Sequence, residues 1–180
     1  GLYYCETGAS MRPSKVIYDR AHSSIAEANP SDFDFDAIME GADWFHWSGI
    51  SAAVSAGTAE VCAEAIAAAR RHGLVISCDI NYRRNLWKWG KRPHEVLPAL
   101  MAECDILFGT ELEFQQALGV EMPQFKAVDT EYEMAMEAYT RASEEVSRLM
   151  PRCHTMVFAL RNVINAQHHL LGGTMWHRGK

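Results

Sequence analysis

Four short runs with the pattern of buried strands constrain this chain most: Trp44 to Trp47, Leu74 to Ile76, Asp105 to Phe108 and Thr155 to Leu160. Each is too short for a helix, and helical patterns lie between them. Strands that alternate with helices in this way give βαβ units and a mostly parallel sheet, hence an α/β fold. Right-handed crossovers are expected to put helices on both faces. Parallel strands are covered on both sides and read as continuous apolar runs. Phe45, Trp47, Ile76, Cys78, Leu107 and Phe158 are therefore predicted to be core residues.

The segments between the strands carry their own punctuation. Asp34 can cap a short helix that runs to Glu40 and stops at Gly41. Ser55 or Thr58 can cap the next helix, whose Cys62, Ala65, Ile66 and Ala69 share one face. Arg70, Arg71 and His72 fill its last turn, and Gly73 suits the position just past its end. Helices follow at His94 to Glu103 and at Glu111 to Leu118, the second closed by Gly119. Glu121 to Asp129 reads as loop, and Tyr132 to Met150 as a long helix halted by Pro151. Two β-prone runs, Leu2 to Cys5 and Lys15 to Tyr18, can pair as a hairpin. A second hairpin is expected at the other end, from Gln167 to His177, with its turn at Gly172-Gly173.

Composition sets the outer limits. With 48% hydrophobic residues in 180, the chain can build one good-sized core. A net charge of -6 argues against a nucleic-acid partner, whose binder is normally basic. Five scattered cysteines without a C-x-x-C pair argue against a zinc site and fit a reducing cytoplasm. No apolar run is long enough to span a bilayer, so no membrane partner is expected. The opening residues Gly1 to Tyr4 read as a strand already under way, as in a piece of a longer protein.

Several chemistries lack their motif. There is no G-x-G-x-x-G after a strand, no Walker A sequence, no G-x-S-x-G and no H-E-x-x-H. What remains is a set of polar residues just after the strands. Ser48 follows the first strand and Asp79 to Arg84 the second. Thr110 to Glu113 follow the third, and Arg161 the fourth. Ligands of open α/β sheets bind outside the carboxyl ends of the strands, so these residues can converge on one ligand. Arginines with carboxylates suit an anionic ligand together with a metal–phosphate group.

Three stretches carry a resemblance: V-I-Y-D-R-A-H-S-S (Val16 to Ser24), W-F-H-W-S-G-I (Trp44 to Ile50) and D-I-N-Y-R-R-N-L-W (Asp79 to Trp87). They resemble the ribokinase (PfkB) family of sugar kinases, in the branch that acts on a 2-keto-3-deoxy sugar acid. The resemblance covers Gly1 to about Leu118 and returns weakly at Thr155 to Trp176. It implies a ribokinase-like three-layer α/β/α domain with a small β lid, here incomplete at both ends. Residues 1–24 would form the lid hairpin and substrate-contact segment, and residues 25–180 the α/β core. It implies transfer of the ATP γ-phosphate to a primary hydroxyl, with Mg²⁺, and a small-molecule sugar acid of the 2-keto-3-deoxygluconate type.

The same resemblance assigns residues. Tyr3, Tyr18, Arg20 and Arg83 would contact the sugar acid, with the arginines on its carboxylate and keto end. Thr110, Glu113 and Arg161 would serve the nucleotide and its phosphates. Glu113 would organise the metal through water, and Thr110 stands where asparagine is usual. The lid strands would allow a homo-oligomer. The glycine-rich G-x-G-D motif that carries the catalytic base in such kinases is absent, so the base is expected beyond Lys180 and this piece alone is expected to be inactive. Two other readings remain: a kinase of the same family for a neutral sugar, and a non-catalytic binding module on the same scaffold. Arg20 and Arg83 speak for an acid.

Overall fold

The computed structural model of the protein describes residues 1–123 and 132–178. Most of the expected loop from Glu121 to Asp129 lies outside the described residues. The four strand patterns become β3 (Trp44–Ser48), β4 (Val75–Asp79), β5 (Ile106–Gly109) and β6 (Thr155–Asn165). They lie side by side in that order, all parallel, and an antiparallel β7 (His168–His177) completes a five-stranded sheet. β1 (Leu2–Glu6) and β2 (Lys15–Asp19) form a separate antiparallel pair, as the sequence suggested.

The helices begin and end where the chemistry of their termini dictates. Small helices α1 (Ser24–Glu27) and α2 (Phe35–Met39) precede the sheet, and the Asp34 side chain accepts from the Ala37 amide to start α2. α3 (Gly49–Val54) is a short helix that periodicity did not reveal. Ser55 then opens α4 (Ala56–Arg71), with Thr58 returning the bond to the Ser55 amide in a capping box. α5 (Pro93–Met101) starts at a proline, whose missing N–H has no partner to lose there. α6 (Glu111–Leu118) ends on Gly119 in the left-handed region, φ 72°. α7 (Tyr132–Leu149) leads back to β6.

Each strand lies one place further along the sheet than the last. The core forms where the helices meet one face: Ile76, Cys78, Leu107, Met156 and Phe158 are all fully buried. Cover on the two faces is unequal among the described residues, for Trp44 and Val75 remain exposed and Phe108 and Val157 half-buried. Of the six predicted core positions, five are buried, and Phe45, on the outer strand β3, is half-buried. Cys62 and Cys153 are buried thiols, and burial pushes each up to about 12, far from thiolate chemistry. Asp105 is structural: its carboxylate accepts the Ile76 amide at 2.8 Å and faces Arg70 at 3.4 Å.

The carboxyl-terminal hairpin differs from expectation. Its turn lies at Ala166 and Gln167, and Gly172 and Gly173 sit inside β7, paired with Leu160 and Ala159. Both glycines lack positive φ, so nothing in their backbone forces a turn. β6 therefore continues well past the end of β5, and Arg161 lies within the strand rather than after it.

Phe158 ties this hairpin to the core, with ring centroids 4.8 Å from Phe114 and 5.3 Å from Tyr139. Phe158→Ala is expected to cost about 3–5 kcal/mol, read as a lower midpoint in urea unfolding. A loss below about 1 kcal/mol would mean that β6 does not hold the core together.

Candidate active site

The carboxyl edges of β3, β4 and β5 present one polar cluster. The pairing register places Ser48 beside Asp79, and Asp79 beside Phe108 one residue before Gly109 and Thr110. After β4 the chain turns sharply, with Asn81 in the left-handed region at φ 43°. From that turn the Asn81 side-chain Nδ2 donates to the Ser48 hydroxyl at 3.3 Å. Gly49 is required here, since a Cβ on it would lie 2.1 Å from the Ile80 carbonyl oxygen. The close approach of the α3 start to the β4 end fixes Ser48 against Asn81.

Glu113 is the best-held member of the cluster, and its side chain is 13% exposed. It occupies the third position of α6, where a glutamate can close a capping box. Its Oε2 accepts the Thr110 N–H at 2.8 Å and the Thr110 hydroxyl at 3.1 Å, and Thr110 Oγ1 accepts the Glu113 N–H at 3.4 Å. Thr110 thus performs the capping that asparagine could also supply. Glu113 Oε1 faces Arg83 Nη1 at 3.4 Å. A carboxylate offers about four acceptor sites, so about one remains, on Oε1.

Arg83 is held by one nitrogen. Nη1 donates to the Tyr82 carbonyl at 2.9 Å and faces Glu113. Its Nε and Nη2 have no partner among the described residues. Arg84 is exposed and forms no ion pair among the described residues. The family resemblance singles out Arg83, and the structure gives the two arginines different surroundings: Arg83 lies against Glu113 and Arg84 is exposed.

Asp79 is half-buried at the same edge. Burial raises its pKa first and the Glu113 charge raises it further, while the Asn81 amide, His46 and Arg83 pull the other way. His46 was missed in the sequence. Its ring Nδ1 lies 2.7 Å from the Ser77 hydroxyl, which also accepts the Trp44 indole N–H at 2.7 Å. The signal was available: Trp44, His46 and Ser48 alternate along β3 and share a face.

The remaining expected residues fall in two other places. Tyr3 and Tyr18 are direct cross-strand partners in the β1–β2 pair, with ring centroids 6.5 Å apart. The Arg20 guanidinium lies over the Tyr18 ring, 5.0 Å from its centroid. These three form one group, in which Tyr3 is exposed and Tyr18 and Arg20 are half-buried. Arg161 does not join the Glu113 cluster. Its guanidinium donates to His169 Nδ1 at 2.7 Å, and it lines a groove of about 440 Å³ between residues 10–14 and the β6–β7 tip. It lies there because β6 runs on past the sheet edge.

The cluster fits a divalent cation held through water and phosphate oxygens. Among the described residues no three potential ligands gather to cage a metal directly. One free acceptor site on Glu113, with Asp79 close by, matches the few carboxylate contacts that Mg²⁺ usually takes.

An open, mostly parallel sheet with an anion- and metal-competent carboxyl edge defines an α/β ligand-binding enzyme scaffold. Residues 1–146 match the pfkB family carbohydrate kinases, and the chain belongs to that family. A 2-dehydro-3-deoxygalactonokinase of Haloferax volcanii is 34% identical over 118 residues, 66% of this chain and 36% of the relative. The crystal structure of a 2-dehydro-3-deoxygluconokinase from Thermotoga maritima superposes with a TM-score of 0.83 at 35% identity, over 99% of this chain and 51% of that one. A PfkB family carbohydrate kinase from Listeria grayi gives 0.76 at 29% identity, with 99% and 51% covered. The chain spans about half the length of these solved structures. Its mixed α/β architecture, with a mostly parallel sheet, is the ribokinase-like fold of these neighbours.

Asp79 makes a testable statement about pH. Its folded pKa lies above the ordinary 3.8, so between the two values the native state holds more protons than the unfolded state. Stability is then favoured below the unfolded pKa and falls as pH rises through the folded one. Asp79→Asn should raise the Tm at about pH 7 and leave it nearly unchanged at about pH 3.5. An equal shift at both pH values, or a lower Tm at neutral pH, would rule out ionisation of Asp79 as a burden on the fold.

Proposed function

We propose that the chain is part of an ATP-dependent kinase for a 2-keto-3-deoxy sugar acid, with 2-keto-3-deoxygluconate as substrate. The observation that carries this is the free Nε–Nη2 edge of Arg83, held by Glu113 at the carboxyl edge of the sheet. A planar fork of two donors suits a carboxylate. The 35% identical neighbour named for a gluconate substrate supports the same reading. The Haloferax volcanii relative supports a second one, the galacto epimer, which presents the same carboxylate and keto group.

Residues 1–24 act as the lid hairpin and residues 25–180 as the core. Tyr3, Tyr18 and Arg20 cover the sugar acid from the lid, and Arg83 holds it from below. Thr110 and Glu113 face the phosphates, with Glu113 taking a metal-bound water on its remaining acceptor site. Arg161 reaches the nucleotide from β6. When bound, Mg²⁺–ATP supplies the phosphoryl group and much of the charge neutralisation. No G-x-G-D aspartate stands in the 180 residues, so the base for the primary hydroxyl is assigned outside them, and these residues alone are expected not to turn over. Leu2, Tyr4 and Ile17 are more than half exposed on the lid strands, which suits pairing with a second copy. Among the described residues no helix is long and apolar enough to cross a membrane, and a cytoplasmic place suits an ATP-dependent enzyme.

Steady-state kinetics of the full-length protein test the assignment. Arg83→Ala should raise KM for the sugar acid at least about tenfold, about 1.4 kcal/mol, and change KM for ATP much less. Arg83→Lys should recover little, because an ammonium cannot reproduce the fork. Arg84→Ala should be mild. Equal effects at both arginines, or a defect confined to ATP, would move the acid site to Arg20.

A further inference from the structure

We propose that Glu113 is a positioning residue for the acid anchor, acting through Arg83 in addition to any part it plays toward phosphate. This rests on the sugar-acid reading above. Arg83 extends from an irregular loop, is 42% exposed, and has nothing else among the described side chains to orient it. An arginine on such a loop normally samples many rotamers, and ordering it on binding costs affinity. Here Nη1 is pinned at two points, the Tyr82 carbonyl and Glu113 Oε1. Both Nη1 hydrogens are then used. The guanidinium plane is set and its Nε–Nη2 edge, the part that can fork onto a carboxylate, is left open. Glu113 can hold that nitrogen because it is itself immobilised by three bonds with Thr110 at the start of α6. Rigidity thus passes from β5 and α6 to an arginine thirty residues earlier in the chain.

The sign of the effect separates this role from plain electrostatics. Glu113 is negative and close to an anion site. Removing its charge should by Coulomb's law tighten binding of an acid. If Glu113 positions Arg83, removing it should weaken binding. Glu113→Gln is the useful variant, since glutamine also closes capping boxes and preserves the α6 start.

Calorimetric titration of the full-length protein, without nucleotide or metal, reads this directly. The probes are 2-keto-3-deoxygluconate and 3-deoxyfructose, in which a CH₂OH replaces the carboxylate. Glu113→Gln should weaken the acid about three- to tenfold and leave 3-deoxyfructose within about twofold. In an Arg83→Ala background Glu113→Gln should have no further effect on the acid. An unchanged Tm of Glu113→Gln confirms that the fold is intact, and a lowered Tm with equal losses for both probes would overturn the proposal. So would unchanged or tighter acid binding, or losses that add in the double variant. If the unsubstituted protein binds no sugar acid, the kinase reading falls and the positioning role with it. If it binds the acid and Glu113→Gln makes no difference, the positioning role alone falls.

Discussion

The register of the parallel strands is the constraint on which the site depends. Trp47 pairs with Cys78, Cys78 with Leu107, and Leu107 with Met156, so one buried row crosses the sheet from β3 to β6. One residue further along, the row reads Ser48, Asp79, Phe108 and Val157. Below it lies packed core and above it begin the polar loops. A slip of one residue in any strand would turn its apolar set out of the core, so packing fixes the register. The site inherits that accuracy. Ser48, Asp79 and Thr110 stand near one another because Trp47, Cys78 and Leu107 must.

This dependence explains which features were legible in the sequence. Strands whose buried residues decide their register announce themselves as apolar runs, and β3 to β5 lie where the runs lie. Two caps were legible too, since Asp34 and Ser55 each bond a backbone amide a few residues away. The β6–β7 hairpin was not, because its outer half leaves the core. Val163, Ile164, Leu170 and Leu171 are all exposed, so no alternation of burial marks the strand. With that signal missing, a glycine pair was the strongest local cue, and it pointed to the wrong turn. The Arg83–Glu113 contact was illegible for another reason. Its partners are separated by a helix and a strand, and their meeting follows from register, which no local pattern encodes.

The β1–β2 pair is built differently from the rest. Every residue of β1 is exposed, and β2 buries little. A two-stranded hairpin is marginal by itself in water. It is fastened at its turn, where the Ala166 amide of the β6–β7 tip donates to the Ser10 carbonyl at 2.9 Å, and Gly8 packs against Ala166. Among the described residues its strands are hydrogen-bonded to each other, through pairs such as Tyr3 with Tyr18. Elements with few buried contacts and a single anchor are those that open and close at little energetic cost.

Charge is unbalanced at the edge of the sheet. One guanidinium, Arg83, stands beside two carboxylates, Asp79 and Glu113, and the raised pKa of Asp79 follows from burial and from that imbalance. An acid substrate placed on Arg83 adds another negative charge to an edge that already lacks positive partners, on a body whose net charge is -6. Counter-charge has to arrive from elsewhere. On the sugar-acid reading, a divalent cation on the Glu113 side would supply part of it. Arg20 would supply another part on the same reading, from the end of β2, where it rests over the Tyr18 ring as a weakly held cation. On the sugar-acid reading, closing the lid then does more than exclude water. It completes the charge balance that the core strands leave open, so an anionic sugar favours the closed state more strongly than a neutral sugar of the same size.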